Sequence, residues 1–461
     1  MSFVDLGFWL AVPVILAGYY LAPMRWRSAY LLAMSLGYFA LNSGLYVILL
    51  VASIGWTFAF GRFLARAGSE KRKQLLLLIG LVPVVGTLVL FKLGDALPGL
   101  IMPLGISYYT FKLIAYLVEI YWDETQEANS FVDFSAYVSF APQLVSGPIQ
   151  RPADFMEQIS ALRTGTNRQR IEDGFALLLE GLMLKLIIGD RLGTFVARVD
   201  ANPASYTHAV IWVAALSMLP YLYADFAGYT KIALGLGRLF GIEGPPNFNA
   251  PFAAGNVLEY WRRWHMSLTS WLTDYVFMPL RMQTRAWGSA GLVFSIFVNM
   301  VLIGLWHGIA WTYLVFGLLQ GLMLSVSALT LPRRDAFFAV HPALSGVRRV
   351  GGAATTFVLM SSAILVWFAP SLGTAWLQFK LVTGIAGAGH WGFDSMPVDI
   401  YAPAAAALAV SFYHGCGAPG FAWISGHCRL VFPVWVIEGV KLLLICGLAP
   451  EQGAAFIYGQ F

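Results

Sequence analysis

The sequence contains few charged residues and few cysteines. Only 11% of its 461 residues are Asp, Glu, Lys or Arg, against about a quarter in ordinary soluble domains. Apolar residues make up 58%, and the mean hydropathy is +0.69. A cytosolic enzyme, a disordered chain and a secreted disulfide scaffold are therefore excluded. The three cysteines, Cys416, Cys428 and Cys446, lie close to the C-terminus and leave open at most a single bridge.

Several enzyme and metal motifs are also missing from the sequence. It has no P-loop of the form Gly-x-x-x-x-Gly-Lys-Ser/Thr and no Gly-x-Ser-x-Gly nucleophile turn, so neither ATP hydrolysis nor a hydrolase-type serine triad is supported. His414, Cys416, His427 and Cys428 match none of the usual zinc spacings. No metal is predicted.

Long uncharged apolar runs recur along the chain at lengths near the roughly 20 residues that a helix needs to cross a membrane. They do not alternate as strands of a lipid-facing barrel would. The sequence therefore predicts an all-α, polytopic integral membrane protein with about 11 to 13 membrane helices, in one membrane-embedded domain over residues 1–461. The predicted spans are 3–23, 28–41, 45–61, 74–93, 103–122, 171–190, 207–225, 288–306, 308–330, 353–369, 400–414 and 431–449.

Basic residues cluster in alternate loops of the first half. The first loop carries Arg25 and Arg27, residues 42–44 carry no charge, and residues 62–73 are strongly basic. Because basic loops stay on the cytoplasmic side, the N-terminus is predicted outside. We interpret the excess of basic residues behind the net charge of +5 as a signal for membrane orientation, and no nucleic acid partner is predicted.

Two stretches mix aromatic residues with helix breakers and are predicted to be re-entrant or interfacial, near 131–155 and 245–280. In the second, Asn256 stands three residues before Glu259, which indicates a helix N-cap. One continuous helix is predicted to follow. The apolar residues on one face of it are Val257, Trp261, Trp264, Leu268 and Trp271.

Two histidines are candidates for chemistry. His307 lies within residues 290–331, which contain no formally charged residue; an ionisable group at such depth often marks a functional site, but a neutral imidazole bridging two helices at Gly304 and Gly308 is an equal alternative. For His265 the alternative is an interfacial histidine beside tryptophans, and its spacing alone favours that interpretation. Asp225 and Lys231 are either a buried pair or charges at a helix end.

Four ordered segments, 103–111 (PLGISYYTF), 142–151 (PQLVSGPIQR), 261–268 (WRRWHMSL) and 304–308 (GLWHG), together resemble the membrane-bound O-acyltransferase family. The resemblance is greatest to the bacterial branch that serves alginate O-acetylation and teichoic acid D-alanylation. Residues 330–450 carry no matching motif, so the subfamily is less specified than the family.

The resemblance implies that His307 is the catalytic histidine and His265 the second histidine of the bacterial branch. It implies a central tunnel, a cytoplasmic thioester donor such as acetyl-CoA, an extracytoplasmic partner protein that passes the acetyl group to a polysaccharide, and location in the bacterial inner membrane. The residues predicted to bind substrate are Trp306, Trp261, Arg262, Arg263, Gln143 and Arg151.

Two other functions stay open at this point. One is D-alanyl transfer from a carrier-protein thioester to teichoic acid. The other is a transporter or export subunit without chemistry, which the sequence disfavours: no inverted repeat is visible, and a conducting pathway is expected to place more than one ionisable residue within the spans.

Overall fold

The computed structural model describes residues 6–94, 100–145, 147–162, 168–385, 392, 398–416 and 434–449. Over this part of the chain the regular structure is helical, apart from one isolated bridge between Phe248 and Trp264. The helices are α1 Leu6–Leu21, α2 Arg27–Ser43, α3 Tyr46–Ala65, α4 Glu70–Lys92, α5 Ile106–Tyr121, α6 Phe131–Ser139, α7 Ala141–Leu144, α8 Pro152–Ala161, α9 Arg168–Leu182, α10 Asp190–Ala201, α11 His208–Leu239, α12 Val257–Trp261, α13 Met266–Leu272, α14 Met278–Gln283, α15 Gly288–His307, α16 Trp311–Val340, α17 Ser345–Phe368, α18 Leu372–Thr383, α19 Val398–Gly415 and α20 Val434–Leu448.

Six of the described helical segments are long and apolar enough to cross a membrane. They run over Tyr46–Ala65, Glu70–Lys92, His208–Leu239, Arg285–His307, Trp311–Val340 and Pro342–Phe368. Other predicted spans form shorter helices, such as the 16 residues of α1 and of α5. The all-α polytopic membrane fold is thus confirmed.

Some predicted span boundaries are wrong because charged residues do not end the helices. The span predicted at 207–225 continues to Leu239, and the span predicted at 308–330 continues to Val340. The span predicted at 171–190 forms α9, a π-helical segment Met183–Gly189 and then α10. In α11 the charged side chains Asp225 and Lys231 each form an ion pair with a residue outside the helix. Because both charges are paired, neither residue ends the helix.

The described chain divides into two compact units. Of the described residues, unit 1 comprises those up to residue 181 and those within 229–245, and unit 2 comprises those within 182–228 and 246–449. Unit 1 contains one large apolar core that includes Tyr19, Tyr109, Phe134 and Phe240.

Within unit 1, Gly105 begins α5 in a left-handed conformation at φ 66°. A Cβ at this position would lie 2.3 Å from the backbone oxygen of Leu144, so only glycine permits the contact between the start of α5 and α7. The predicted re-entrant stretch 131–155 forms α6, α7 and the start of α8, of which α6 and α8 have 9 and 10 residues. None of them is long enough to span a bilayer; their re-entrant placement stays a prediction.

Unit 2 contains the second irregular stretch, and the predicted N-cap is confirmed there. The side chain of Asn256 accepts a hydrogen bond from the Glu259 backbone N–H at 3.0 Å. The single helix predicted to follow is wrong: α12 ends at Trp261, and α13 begins at Met266. The five apolar residues are nevertheless all buried.

The break between α12 and α13 has a non-local cause. Asn249 N–H donates to the Arg263 oxygen, and Met266 N–H donates to the Asn247 oxygen. Residues 247–249 thus pair with the backbone that a continuous helix would have used for its own hydrogen bonds. His265 takes a left-handed conformation at φ 44° at this break.

Candidate active site

His307 is the last residue of α15 and is buried. Its ring lies 4.7 Å from the ring of Trp306 and 5.1 Å from that of Trp367, between centroids. Tyr313 and Phe316, on α16, complete the aromatic surroundings at 6.1 and 6.4 Å. The imidazole therefore lies in a buried, aromatic site, at the C-terminus of a 20-residue helix, where the helix dipole favours positive charge.

The close approach of α15 and α16 brings His307 to this site. A Cβ on Gly304 would lie 2.2 Å from the Tyr313 backbone oxygen, and a Cβ on Gly308 would lie 2.7 Å from the Tyr313 ring. The two glycines therefore permit the helix contact that their spacing suggested.

His265 is also buried, and its ring lies 5.8 Å from that of Trp306. Phe226 contacts the same imidazole edge-to-face at 4.7 Å. Burial lowers the pKa of His265 to about 3, so its imidazole is neutral at physiological pH. Trp306 thus contacts both histidine rings.

The other predicted substrate-binding residues of unit 2 have different surroundings. Trp261 is buried, and its Nε1 donates to Gln320 Oε1 on α16 at 3.1 Å. Arg262 is exposed. Arg263 forms an ion pair with Glu259 at 2.7 Å and donates to the Asn249 oxygen at 3.2 Å. Arg263 therefore holds the 249–263 turn together, and its role toward a donor stays a prediction.

Gln143 and Arg151 belong to unit 1. Gln143 lies in a buried polar network: Lys112 Nζ donates to its Oε1 at 2.8 Å, and its Nε2 donates to Gln150 Oε1 at 2.7 Å. Gln150 in turn donates to the Glu243 oxygen at 2.9 Å. The network joins α5, α7 and residue 243. Whether Gln143 and Arg151 bind substrate stays a prediction.

Several aromatic contacts of the two histidines were not predicted from the sequence. Trp367 lies in α17, within a stretch where no motif could be matched, and an aromatic residue in an apolar helix carries no distinguishing signal. Tyr313 and Phe316 follow the 304–308 motif without a pattern of their own. Phe226 lies in a segment rich in aromatic residues, 221–229. In its case the sequence itself indicated a cluster of aromatic side chains.

A buried ionic cluster lies in unit 2. Lys185 Nζ lies 2.6 Å from Asp190 Oδ1 and 2.6 Å from Asp225 Oδ1, and all three side chains are fully buried. Lys231 instead pairs with Glu180 at 2.6 Å. Asp225 and Lys231 are therefore neither partners nor loop charges. The argument against a transporter, that the spans lack the several ionisable residues of a conducting pathway, is wrong as well, because the three charged side chains of this cluster lie within the predicted spans 171–190 and 207–225.

Among the described residues no group of three or more His, Cys, Asp or Glu side chains is placed to bind a metal ion. His427 and Cys428, from the weak four-residue set, lie outside the described residues.

Comparison with known proteins identifies the family. Residues 123–366 match the model of the membrane-bound O-acyltransferase family. A probable alginate O-acetylase of Pseudomonas aeruginosa is 30% identical over 396 residues, which cover 80% of this chain and 72% of that protein.

Two further relatives belong to other branches. A peptidoglycan O-acetyltransferase of Helicobacter pylori is 31% identical over 66% of this chain and 64% of its own length. A teichoic acid D-alanyltransferase of Bacillus subtilis is 34% identical over 49% of this chain and 59% of its own length. The family match covers more than half of the chain and includes His265 and His307: the chain belongs to the membrane-bound O-acyltransferase family and is a multi-pass membrane O-acyltransferase.

Proposed function

We propose that this enzyme transfers an acetyl group from acetyl-CoA, bound on the cytoplasmic side of the inner membrane, for O-acetylation of an extracellular polysaccharide. The observation that carries the chemistry is the placement of His307 and His265 against the same buried indole ring, that of Trp306, at 4.7 and 5.8 Å. The sugar polymer as final acceptor is supported by the names of the relatives from Pseudomonas and Helicobacter.

His307 acts as the general base in this proposal. Its neutral imidazole takes the proton of the acceptor hydroxyl while the hydroxyl oxygen attacks the thioester carbonyl. The C–S bond then breaks, and the imidazolium returns the proton to the leaving thiolate. The products are the acetyl ester and free CoA. The position of His307 at the C-terminus of α15 favours the imidazolium that forms between these steps.

His265 assists in a different way. Because burial keeps its imidazole neutral, it can donate a hydrogen bond to the thioester oxygen as negative charge develops there. Trp306 holds the two rings in fixed relation, and Arg262 and Arg263 orient the donor. Gln143, Arg151 and Trp261 are proposed to contact substrates.

A partner protein is proposed to complete the reaction outside the membrane. The loops predicted to lie outside are short, such as residues 42–44 and 94–102, far below the roughly 40 residues that small independent domains need. A polymer is also too bulky to reach a buried imidazole between helices. An intermediate acceptor on the partner would therefore receive the acetyl group first.

The test compares His307→Ala with His341→Ala, a control at an exposed histidine at the end of α16. In cells that depend on this chain, ester-linked acetate on the surface polymer should fall about a hundredfold to ten-thousandfold in His307→Ala and stay unchanged in the control, at equal protein levels in the membrane. His265→Ala should give a smaller loss. Near-normal acetate in His307→Ala would contradict the assignment.

Two further readouts separate the alternatives. Ester-linked D-alanine in place of acetate on the same polymer would show the teichoic acid reaction. The purified chain in liposomes, with acetyl-CoA inside and polymer outside, should acetylate little polymer without a partner. Robust acetylation by the chain alone would contradict the partner.

A further inference from the structure

Unit 1 contains an apolar groove between α1 and α2, with a cavity of about 380 Å³. Its wall is almost entirely carbon, and it lies apart in sequence from both histidines of the active site. Helix α7 and the end of α11 contribute to the same wall. The residues that define this α1–α2 groove most clearly are Phe8, Ile15, Tyr30, Leu41, Pro142 and Phe240.

The length of the groove matches one leaflet of a bilayer. Its lining on α2 extends from Tyr30 to Leu41, about 16 Å at the helical rise of 1.5 Å per residue. Half of the hydrocarbon thickness of a typical bilayer is about 15 Å. One extended acyl chain of a single leaflet therefore fits the groove lengthwise.

The surroundings of the groove are those of a lipid-facing surface. On α1, Leu10 and Val14 are about 70% exposed, which in a membrane protein places apolar side chains against hydrocarbon. Water does not occupy an apolar cavity of this kind, and an empty one would lose the dispersion contacts of its lining. A ligand that suits the groove is therefore apolar and comes from the bilayer.

A basic and aromatic turn lies at the Tyr30 end of the groove. Arg25 and Trp26 precede α2, and both are exposed. Arg27 is buried, with its guanidinium 5.1 Å from the centroid of the Tyr19 ring, so Arg25 is the cation that can reach a headgroup. Tryptophan is enriched at the level of lipid headgroups, and arginine binds phosphate in charge-assisted hydrogen bonds.

We propose that the α1–α2 groove is a binding site for one bilayer phospholipid, with an acyl chain along Tyr30 to Leu41 and the phosphate toward Arg25. The proposal does not rest on the acyl-transfer chemistry, because none of the groove residues makes one of the ring contacts with His307 or His265 described above.

A groove-filling substitution tests the proposal. Gly37 lines the groove, and a Cβ added there meets no atom within 4 Å, so Gly37→Leu adds carbon atoms at the groove wall with no clash at the Cβ. Gly55 in α3 is equally open but does not line the groove, and Gly55→Leu is the matched control. Both changes replace helical glycine by the same residue, so their effects on helix propensity cancel.

The measurement is native mass spectrometry of the purified full chain, delipidated and then titrated with dioleoyl phosphatidylglycerol. Wild type and Gly55→Leu should retain one phospholipid at equal affinity. Gly37→Leu should bind about tenfold more weakly, the equivalent of roughly two displaced methylene contacts. Arg25→Gln should bind about fivefold more weakly, as expected for one basic residue near an anionic headgroup.

Each alternative occupant gives a distinct result. Equal retention by wild type and Gly37→Leu would overturn the proposal, and so would a preference for free fatty acid or long-chain acyl-CoA over phosphatidylglycerol. If Gly37→Leu lowers the melting temperature, Ala33→Leu, a second change in the groove lining, replaces it, and the same tenfold loss is expected.

Discussion

Lys185 illustrates how single buried charges are held in this protein. Its ammonium lies 2.6 Å from a carboxylate oxygen of Asp190 and of Asp225, and none of the three side chains is exposed. Removing a charge from water is costly, and the attraction within the cluster offsets that cost only while all members are present. Lys185 also lies in the π-helical segment Met183–Gly189, so the cluster joins this irregular turn to α11.

Lys185→Met should strongly destabilise the protein, because it leaves two buried carboxylates close together without their cation. Loss of one partner from a buried pair costs about 3–5 kcal/mol. Lys231→Met is the control: its pair with Glu180 is partly exposed, with side-chain exposures of 23% and 33%, and such pairs contribute about 0–1 kcal/mol. The melting temperature in detergent should fall far more for Lys185→Met, and equal shifts in the two variants would contradict this account.

At the residue scale, the sequence indicated His307 and His265 as candidates, and their catalytic roles stay a prediction. It did not predict the side chains around them. His307 was recognisable because a lone ionisable residue stood in an uncharged apolar stretch. Trp367 was not, since its contact with His307 at 5.1 Å joins residues 60 positions apart in sequence, and no local pattern records such a contact. The pairing of Asp225 with Lys185 is non-local in the same way.

At the scale of elements, local signals predicted helix starts and failed at helix breaks. The cap of α12 at Asn256 could be predicted because its hydrogen bond joins residues only three positions apart. The break at residues 262–265 depends on hydrogen bonds from residues 247–249, while the apolar periodicity continues through it unchanged. The periodicity therefore correctly predicted that the five apolar residues are buried, and wrongly predicted that they lie on one continuous helix.

The contact between α15 and α16 is the element-level feature on which the site depends. A Cβ on Gly304 would lie 2.2 Å from the Tyr313 backbone oxygen, an atom that cannot rotate away. Gly304→Ala should therefore move the last turn of α15, which carries Trp306 and His307, away from α16. We expect a loss of about 1–3 kcal/mol in stability, as for overpacked cores, together with a loss of polymer acetylation.

Gly86→Ala in α4 provides the control for this substitution. A Cβ at Gly86 meets no atom within 4 Å, so the change should be neutral or stabilise the helix by up to about 1 kcal/mol. Melting temperature and acetate ester content are measured for both variants. A fully active, equally stable Gly304→Ala protein would show that the glycine contact does not position the site.

At the scale of the whole molecule, composition alone predicted a polytopic membrane protein, since few charges and long apolar runs permit little else. The exact spans were less predictable. The hydropathy pattern shows where an apolar run meets a charged residue, but helices α11 and α16 continue past such residues. Buried ion pairing in α11 and the polar end of α16 are properties of the folded chain that hydropathy does not encode.

The orientation of the chain is the remaining whole-molecule proposal, and it rests on the basic loop 62–73 and the uncharged turn 42–44. We expect the N-terminus to lie outside, because basic loops are retained in the cytoplasm. The structure supplies suitable labelling positions next to each loop. Leu45 is 83% exposed, and Gly68 is exposed with open space around a Cβ.

Single cysteines at these two positions, in a chain whose three native cysteines are replaced by serine, decide the orientation in intact cells. Leu45→Cys should react with a membrane-impermeant thiol reagent from outside, and Gly68→Cys should react only after the membrane is broken. Ser43 and Ser69 are less suitable positions, because Ser43 accepts a hydrogen bond from the Leu104 N–H and Ser69 caps α4. The reverse labelling pattern would place the basic loop outside, and the donor could then no longer be assigned to the cytoplasmic side by loop charge.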